Sequence, residues 1–224
     1  MKSHLTTILV LYWNQDISLS ICLFFHFWDS QIFTQGKIFI YTIQYHQREL
    51  NITTNETISL AITGNGWRNA TEQKEAIWHY HTRSKTRLKF KDQFSLGWLS
   101  TDTTGIIEND HKIWLHPPRN NQYTLTETAP FPDFRQNKNI GDSYSSITFM
   151  GTGLGPWKGK KVKSNYSITN ICKGTADSLW TIKAASEVEG KINNCEFIFS
   201  DKRGFISLSY SFFNGDSMTM QLKN

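Results

Sequence analysis

The chain has 224 residues, of which 14% are aromatic and only 19% charged, and its formal net charge is +5. This length allows one substantial domain or two small ones. The aromatic, Ser/Thr-rich, charge-poor balance argues against a helical bundle and for an all-β domain. The mild basic bias permits anionic partners without demanding any.

The N-terminus bears on compartment. Met1-Lys2-Ser3-His4 is weakly basic, residues 5–13 are apolar, Asn14-Gln15-Asp16 interrupts, and residues 17–28 are apolar again. A spanning helix needs about 20 mostly apolar residues, and Asp16 near its centre would cost roughly 2.5–3.5 kcal/mol. Each run alone has the length of a signal-peptide core, with no Ala-x-Ala-like site after it. Leu19-Ser20-Ile21-Cys22 resembles a bacterial lipobox, with Ile21 where that motif carries a small residue. Residues 1–33 therefore read as an export signal or membrane-proximal leader. The alternative is a buried strand or helix of a cytoplasmic protein.

Residues 34–224 read as one β-rich domain. Residues 37–50 alternate, with Phe39, Tyr41, Ile43 and Tyr45 on one face, and predict a long strand. Residues 57–63 predict its partner across a polar loop at 51–56. Residues 69–76 are the best short helix candidate. From 75 to 91 the even positions include Ala76, Trp78, Tyr80, Leu88 and Phe90. The odd positions from 79 onward are His79, His81, Arg83, Lys85, Arg87, Lys89 and Lys91. This pattern predicts a hairpin turning over 82–86, with one aromatic and one basic face.

Short strands are expected at 94–99 and 113–115 around an Asp/Thr/Gly-rich turn. Residues 127–143, broken by Pro130, Pro132 and Gly141, read as an irregular stretch crossing a barrel mouth or linking two halves. Residues 144–150, 161–168 and 179–187 supply further strands. The chain closes on an alternating meander whose register can be specified. A loop at Asp201-Lys202-Arg203-Gly204 sets Phe199 opposite Ile206, Phe197 opposite Leu208 and Cys195 opposite Tyr210. A bulged turn at Phe213-Asn214-Gly215 sets Tyr210 opposite Met218 and Leu208 opposite Met220. The expected fold is mainly β, with a single antiparallel curved sheet, barrel or sandwich of about nine to eleven strands and little helix.

Site signals are weak. His79 and His81 share a strand face, a geometry that metal sites use, and Glu75 or Asp110-His111 could add a third ligand; the adjoining cations oppose a divalent metal. Arg83, Lys85, Arg87, Lys89 and Lys91, joined by Lys158, Lys160, Lys161 and Lys163, are anion-binding candidates. Lysines on an edge hairpin also discourage aggregation. Nucleic acid is not favoured, because Trp78, Tyr80 and Phe90 would face away from the cations. Gly151-Thr152-Gly153-Leu154-Gly155-Pro156 is not a phosphate loop, since Pro156 replaces the third Gly and no Gly-Lys-Ser/Thr follows. Four Asn-x-Ser/Thr sequons, at Asn51, Asn55, Asn69 and Asn165, are close to chance for this composition. Cys172 and Cys195 could bridge in an exported chain, or Cys195 could be a buried free thiol. No catalytic motif and no cofactor site is evident.

The leader, QYHQREL (44–50), KIWLHPPR (112–119) and EFIFSDKRGFISLSY (196–210) followed by NGD and MQL resemble exported or lipoprotein-type β-rich proteins of Bacteroidetes cell envelopes. The resemblance implies a periplasmic or envelope-associated location and brings no catalytic residues. The expected function is a non-enzymatic exported domain, either an envelope component or a binder of an apolar or amphipathic ligand on an aromatic concave face. The alternatives are a metal-dependent hydrolase using His79 and His81, and a polyanion-binding module using residues 79–91.

Overall fold

The computed structural model describes residues 31–67, 70–90, 97–150 and 157–223. Residues 1–30 of the leader, Cys22 among them, with Lys91, residues 94–96 and the 151–156 glycine-rich segment, lie outside them. Among the described residues no helix is long and apolar enough to cross a membrane.

The strands are β1 (Ile38–Gln47), β2 (Ile52–Trp67), β3 (Ala70–Tyr80), β4 (Thr101–Glu108), β5 (Lys112–Leu115) and β6 (Asp133–Arg135), then β7 (Ser143–Phe149), β8 (Lys161–Lys173), β9 (Ser178–Val188), β10 (Lys191–Ser200), β11 (Gly204–Ser211) and β12 (Ser217–Leu222). They form one antiparallel sheet of twelve strands, more than the nine to eleven expected because β4 and β6 form in stretches read as a turn and an irregular segment, in the order β6-β5-β4-β3-β2-β1-β12-β11-β10-β9-β8-β7. Two meanders are thus joined where β1 pairs with β12, setting Ile43 opposite Met220 and Tyr45 opposite Met218. The sheet curls into a half-barrel, which brings its short edge β6 near its other edge β7. The Tyr144 hydroxyl donates to the Asp133 carbonyl at 2.5 Å, and the Arg135 guanidinium lies 5.6 Å from the Tyr144 ring centre.

The concave face holds the alternating apolar set, with Tyr41, Trp78, Phe197, Leu208 and Met220 fully buried. It is not empty. After β5 the chain turns inward, and residues 116–132 cross the concave face, including a 3-10 helix at Asn121–Thr128. Tyr123 stacks on Tyr80 and meets Tyr45 edge-on, each at 6.0 Å. Phe134 of β6 stacks on Phe199 of β10 at 4.1 Å. Buried backbone must find hydrogen-bond partners, and inward polar side chains of the sheet supply them. Asn193 and Ser186 donate to the Thr128 carbonyl at 2.8 and 2.7 Å. Trp78 donates to the His116 carbonyl at 3.1 Å and Tyr166 to that of Phe131 at 3.0 Å.

The closing meander keeps its expected pairs Phe197–Leu208, Cys195–Tyr210, Tyr210–Met218 and Leu208–Met220. One pair differs. A register shift between Ile198 and Phe199 sets Phe199 opposite Phe205, which is fully buried, and leaves Ile206 half-buried. An extra residue of this kind switches which side chains face inward.

The predicted basic hairpin over 79–91 is not formed. β3 ends at Tyr80, and residues Ser84–Phe90 form a short helix, α1. The buried Glu56 carboxylate accepts the Arg83 amide at 3.1 Å and the Thr86 hydroxyl, which tethers the first turn. Thr86 and Phe90, four residues apart, then face inward, while Arg87 and Lys89 sit favourably in the last turn. A run with so few apolar residues satisfies a period of 2 and a period of 3.6 alike, and the Glu56 contact decides between them.

Three further expectations are corrected. The helix candidate at 69–76 lies largely in β3, whose pairing with β2 and β4 overrides local propensity. The polar 51–56 loop shrinks to a turn before β2, with Asn51 at φ +49°. The Asp/Thr/Gly-rich turn is largely β4, where Thr104, Gly105, Ile106 and Ile107 are all buried and alternation is hidden.

Gly204 and Gly215 hold φ of +81° and +87°. A Cβ on Gly204 would stand 3.0 Å from Ile32 Cγ2. Gly204→Val is expected to cost about 1–3 kcal/mol in denaturant unfolding, and Gly204→Asn clearly less, since Asn tolerates this conformation; equal losses would contradict the turn. Asn193→Ala should cost about 1–3 kcal/mol by the same measurement, because it removes one of the two donors to the Thr128 carbonyl and leaves the Phe213 amide, which donates to Asn193 Oδ1 at 3.0 Å, without its acceptor.

Candidate functional site

Two places concentrate chemistry, one inside the half-barrel and one outside it. The inner place is a polar cluster at the root of the interior segment. Arg119 pairs with Asp102 of β4 at 2.8 Å and also donates to the Thr103 carbonyl at 3.1 Å. Glu127 Oε1 stands 3.6 Å from both Arg119 Nη1 and His116 Nε2, beyond direct hydrogen bonding. Burial pushes the Glu127 carboxyl up to about 7; nearby Arg119 opposes this and Asp102 reinforces it. Burial and the Arg119 charge push His116 down to about 3. His116 Nδ1 lies 2.9 Å from the Pro117 carbonyl, which can only accept, so the ring carries its proton on Nδ1 and presents a bare Nε2 to Glu127. In a low-dielectric site, neutral forms of both groups cost least. Both side chains are nearly sealed from solvent, and the cluster's geometry fastens the interior segment to β3 and β4.

The outer place is a groove of about 360 Å³ on the convex face, where β1 begins and β12 ends. Its floor is Ile38 and Ile40, which are 61% and 43% exposed. Both belong to the outward parity of β1, which continues with the polar Thr42 and Gln44. Lys37, Lys202, Arg203 and Lys223 surround them, and among the described residues no carboxylate lines the groove. Arg203 is held by Asp177 at 3.0 Å. The Lys223 amide donates to the Ile40 carbonyl at 2.8 Å, which seats the Lys223 cation beside the apolar floor. A second outer cleft is lined mostly by polar residues, Thr42, Gln44, Asn55, Thr57 and Arg83 among them.

The residues singled out from sequence are dispersed. His79 faces outward on β3, and His81 meets Ser59 at 3.2 Å. Among the described residues no group of three His, Cys, Asp or Glu side chains is placed to hold a metal ion. Arg83 precedes α1 and lines the polar cleft, while Lys85, Arg87 and Lys89 are exposed on α1. Lys161 and Lys163 are on β8, with six strands between it and β3, and Lys160 pairs with Glu189 at 2.8 Å. Cys172 is an exposed free thiol and Cys195 a buried one, its thiol pushed up by burial. The groove was missed, although its signal was present: Ile38 and Ile40 are apolar residues on the wrong parity of an otherwise alternating strand.

The buried pair makes a pH prediction. A raised Glu127 means the folded state holds a proton that the unfolded chain releases, so this contribution is full below the ordinary carboxylate range and is lost as pH rises toward 7. A depressed His116 acts oppositely: its contribution is lost as pH falls from the ordinary imidazole range toward 3. Across about pH 4.5–6.5 the two slopes, each about 1.4 kcal/mol per pH unit at most, largely cancel. Glu127→Gln removes the falling slope, so the stability of this variant relative to wild type should climb with pH across that window in chemical unfolding. A pH-independent difference would contradict the buried, protonated Glu127.

No protein-family model and no curated protein matches this chain, so the reading of its sites stands on their geometry.

Proposed function

We propose that the protein is a non-enzymatic, exported envelope domain that holds an amphipathic anion in the outer groove at the start of β1. The observation that carries this reading is the pairing of two exposed isoleucines with a surrounding set of cations and, among the described residues, no lining carboxylate. An acyl chain laid along Ile38 and Ile40 removes apolar surface from water, and a phosphate or carboxylate head meets Lys37, Lys202 and Lys223. The volume is at the lower end of small-ligand sites. The expected aromatic concave site is occupied by the chain's own residues 116–132, which moves the ligand reading to the convex face. The leader-like residues 1–33 and the resemblance to envelope proteins support export.

Calorimetric titration with monomeric dodecyl phosphate tests the reading. Binding should weaken about tenfold for Lys202→Glu, the loss of roughly one good charge contact. Ile38→Ser should weaken it with little change in salt dependence. Absence of binding, or equal binding by all three proteins, would overturn it.

The polyanion reading keeps one observation in its favour: α1 buries Thr86 and Phe90 and turns Lys85, Arg87 and Lys89 outward. Heparin retention that falls steeply with salt and is lost on reversing these three charges would support that alternative.

A further inference from the structure

We infer that the groove's occupant is the surface of an anionic phospholipid membrane, against which the half-barrel rests with the start of β1 facing the lipid. This rests on the reading of the groove as an amphipathic-anion site and goes on to name its source. The first argument is where the described chain begins. Phe33 is buried in the core, its ring 5.1 Å from that of Phe39 on the inner face of β1, and its amide and that of Ile32 donate to the Glu108 carboxylate at the end of β4. Ile32 lies against Gly204, immediately after the groove cations Lys202 and Arg203. The described chain therefore begins at the same end of the half-barrel as the groove, on its inner side, and the sequence before it carries apolar runs at 5–13 and 17–28. A leader held in or on a bilayer would bring this corner, and not the α1 end, to the headgroups.

The second argument is charge and shape. The groove is open, so its isoleucines can meet a surface and not only a threaded chain. Lys37, Lys202 and Lys223 ring it, with no lining carboxylate among the described residues, the pattern that an anionic interface attracts. Exposed Ile38 and Ile40 can enter the headgroup–acyl boundary while the lysines extend their ammonium groups to the phosphates. The leader and a small basic patch would then act together, as two weak membrane signals do.

The test uses the full chain and co-sedimentation with phosphatidylcholine vesicles, with and without phosphatidylglycerol. Wild type should partition about tenfold or more in favour of the anionic vesicles, and this preference should shrink as salt rises. The Lys37→Glu/Lys202→Glu/Lys223→Glu variant should lose the preference while keeping the wild-type unfolding temperature. If charge reversal prevents folding, the corresponding Gln variant serves in its place. Reversing Lys85, Arg87 and Lys89 on α1 should leave the preference intact. Equal partition of wild type onto both vesicle types, or a preference lost only on reversing the α1 charges, would overturn the inference. Binding of monomeric dodecyl phosphate without vesicle preference sinks the membrane surface alone; loss of both sinks the groove as an anion site.

Discussion

The interior of this half-barrel is closed by a piece of irregular chain, and irregular chain inside an apolar space needs its backbone groups satisfied one by one. Asn193 and Ser186 serve Thr128, Trp78 serves His116, and Tyr166 serves Phe131. These donors sit on the inward parity of β3, β8, β9 and β10, where an alternating strand would otherwise carry apolar residues. The sheet therefore sacrifices some apolar surface in order to accept residues 116–132. In return it gains the burial of Tyr123, Ala129 and Phe131. A half-barrel whose short edge β6 pairs with no outer strand among the described residues needs such a filling, because its concave face would otherwise be wet.

The same burial explains the charges. Arg119 keeps its partner Asp102 and a backbone carbonyl, so its cation is well served. Glu127 and His116 are left without a close partner for a charge, and each shifts toward its neutral form. Perturbed values of this kind often mark catalytic sites. Here the side chains lie beneath the segment they fasten, and a role in holding it accounts for them. On the convex face the outward parity is mostly polar, and Ile38 and Ile40 are among its exposed apolar exceptions, with Ile147, Phe149 and Ile192.

Strand existence and much of the register were legible, because alternation reports burial directly. The rows Phe197–Leu208–Met220 and Cys195–Tyr210–Met218 follow from turn length and parity alone. What was not legible depended on distant contacts. α1 forms because Glu56, 27 residues before Arg83, receives its first turn. β4 lacks alternation because both of its faces are covered, with Gln73 and Trp67 lying over Gly105. The bulge at Ile198/Phe199 exchanges Ile206 for Phe205 with no local signature. The groove was half legible: Ile38 and Ile40 break the pattern of β1, but Lys202, Arg203 and Lys223 come to it from far along the chain.

Amide hydrogen exchange across residues 116–132 tests the central claim, that this segment is part of the core and not a removable lid. If its backbone is fastened as described, the slowest amides there, such as those of Tyr123 and Ala129, should exchange only with global unfolding, matching β1 and β11. Exchange of the whole segment orders of magnitude faster than those strands would mean that it opens locally, and would return the concave face to the candidates for ligand binding.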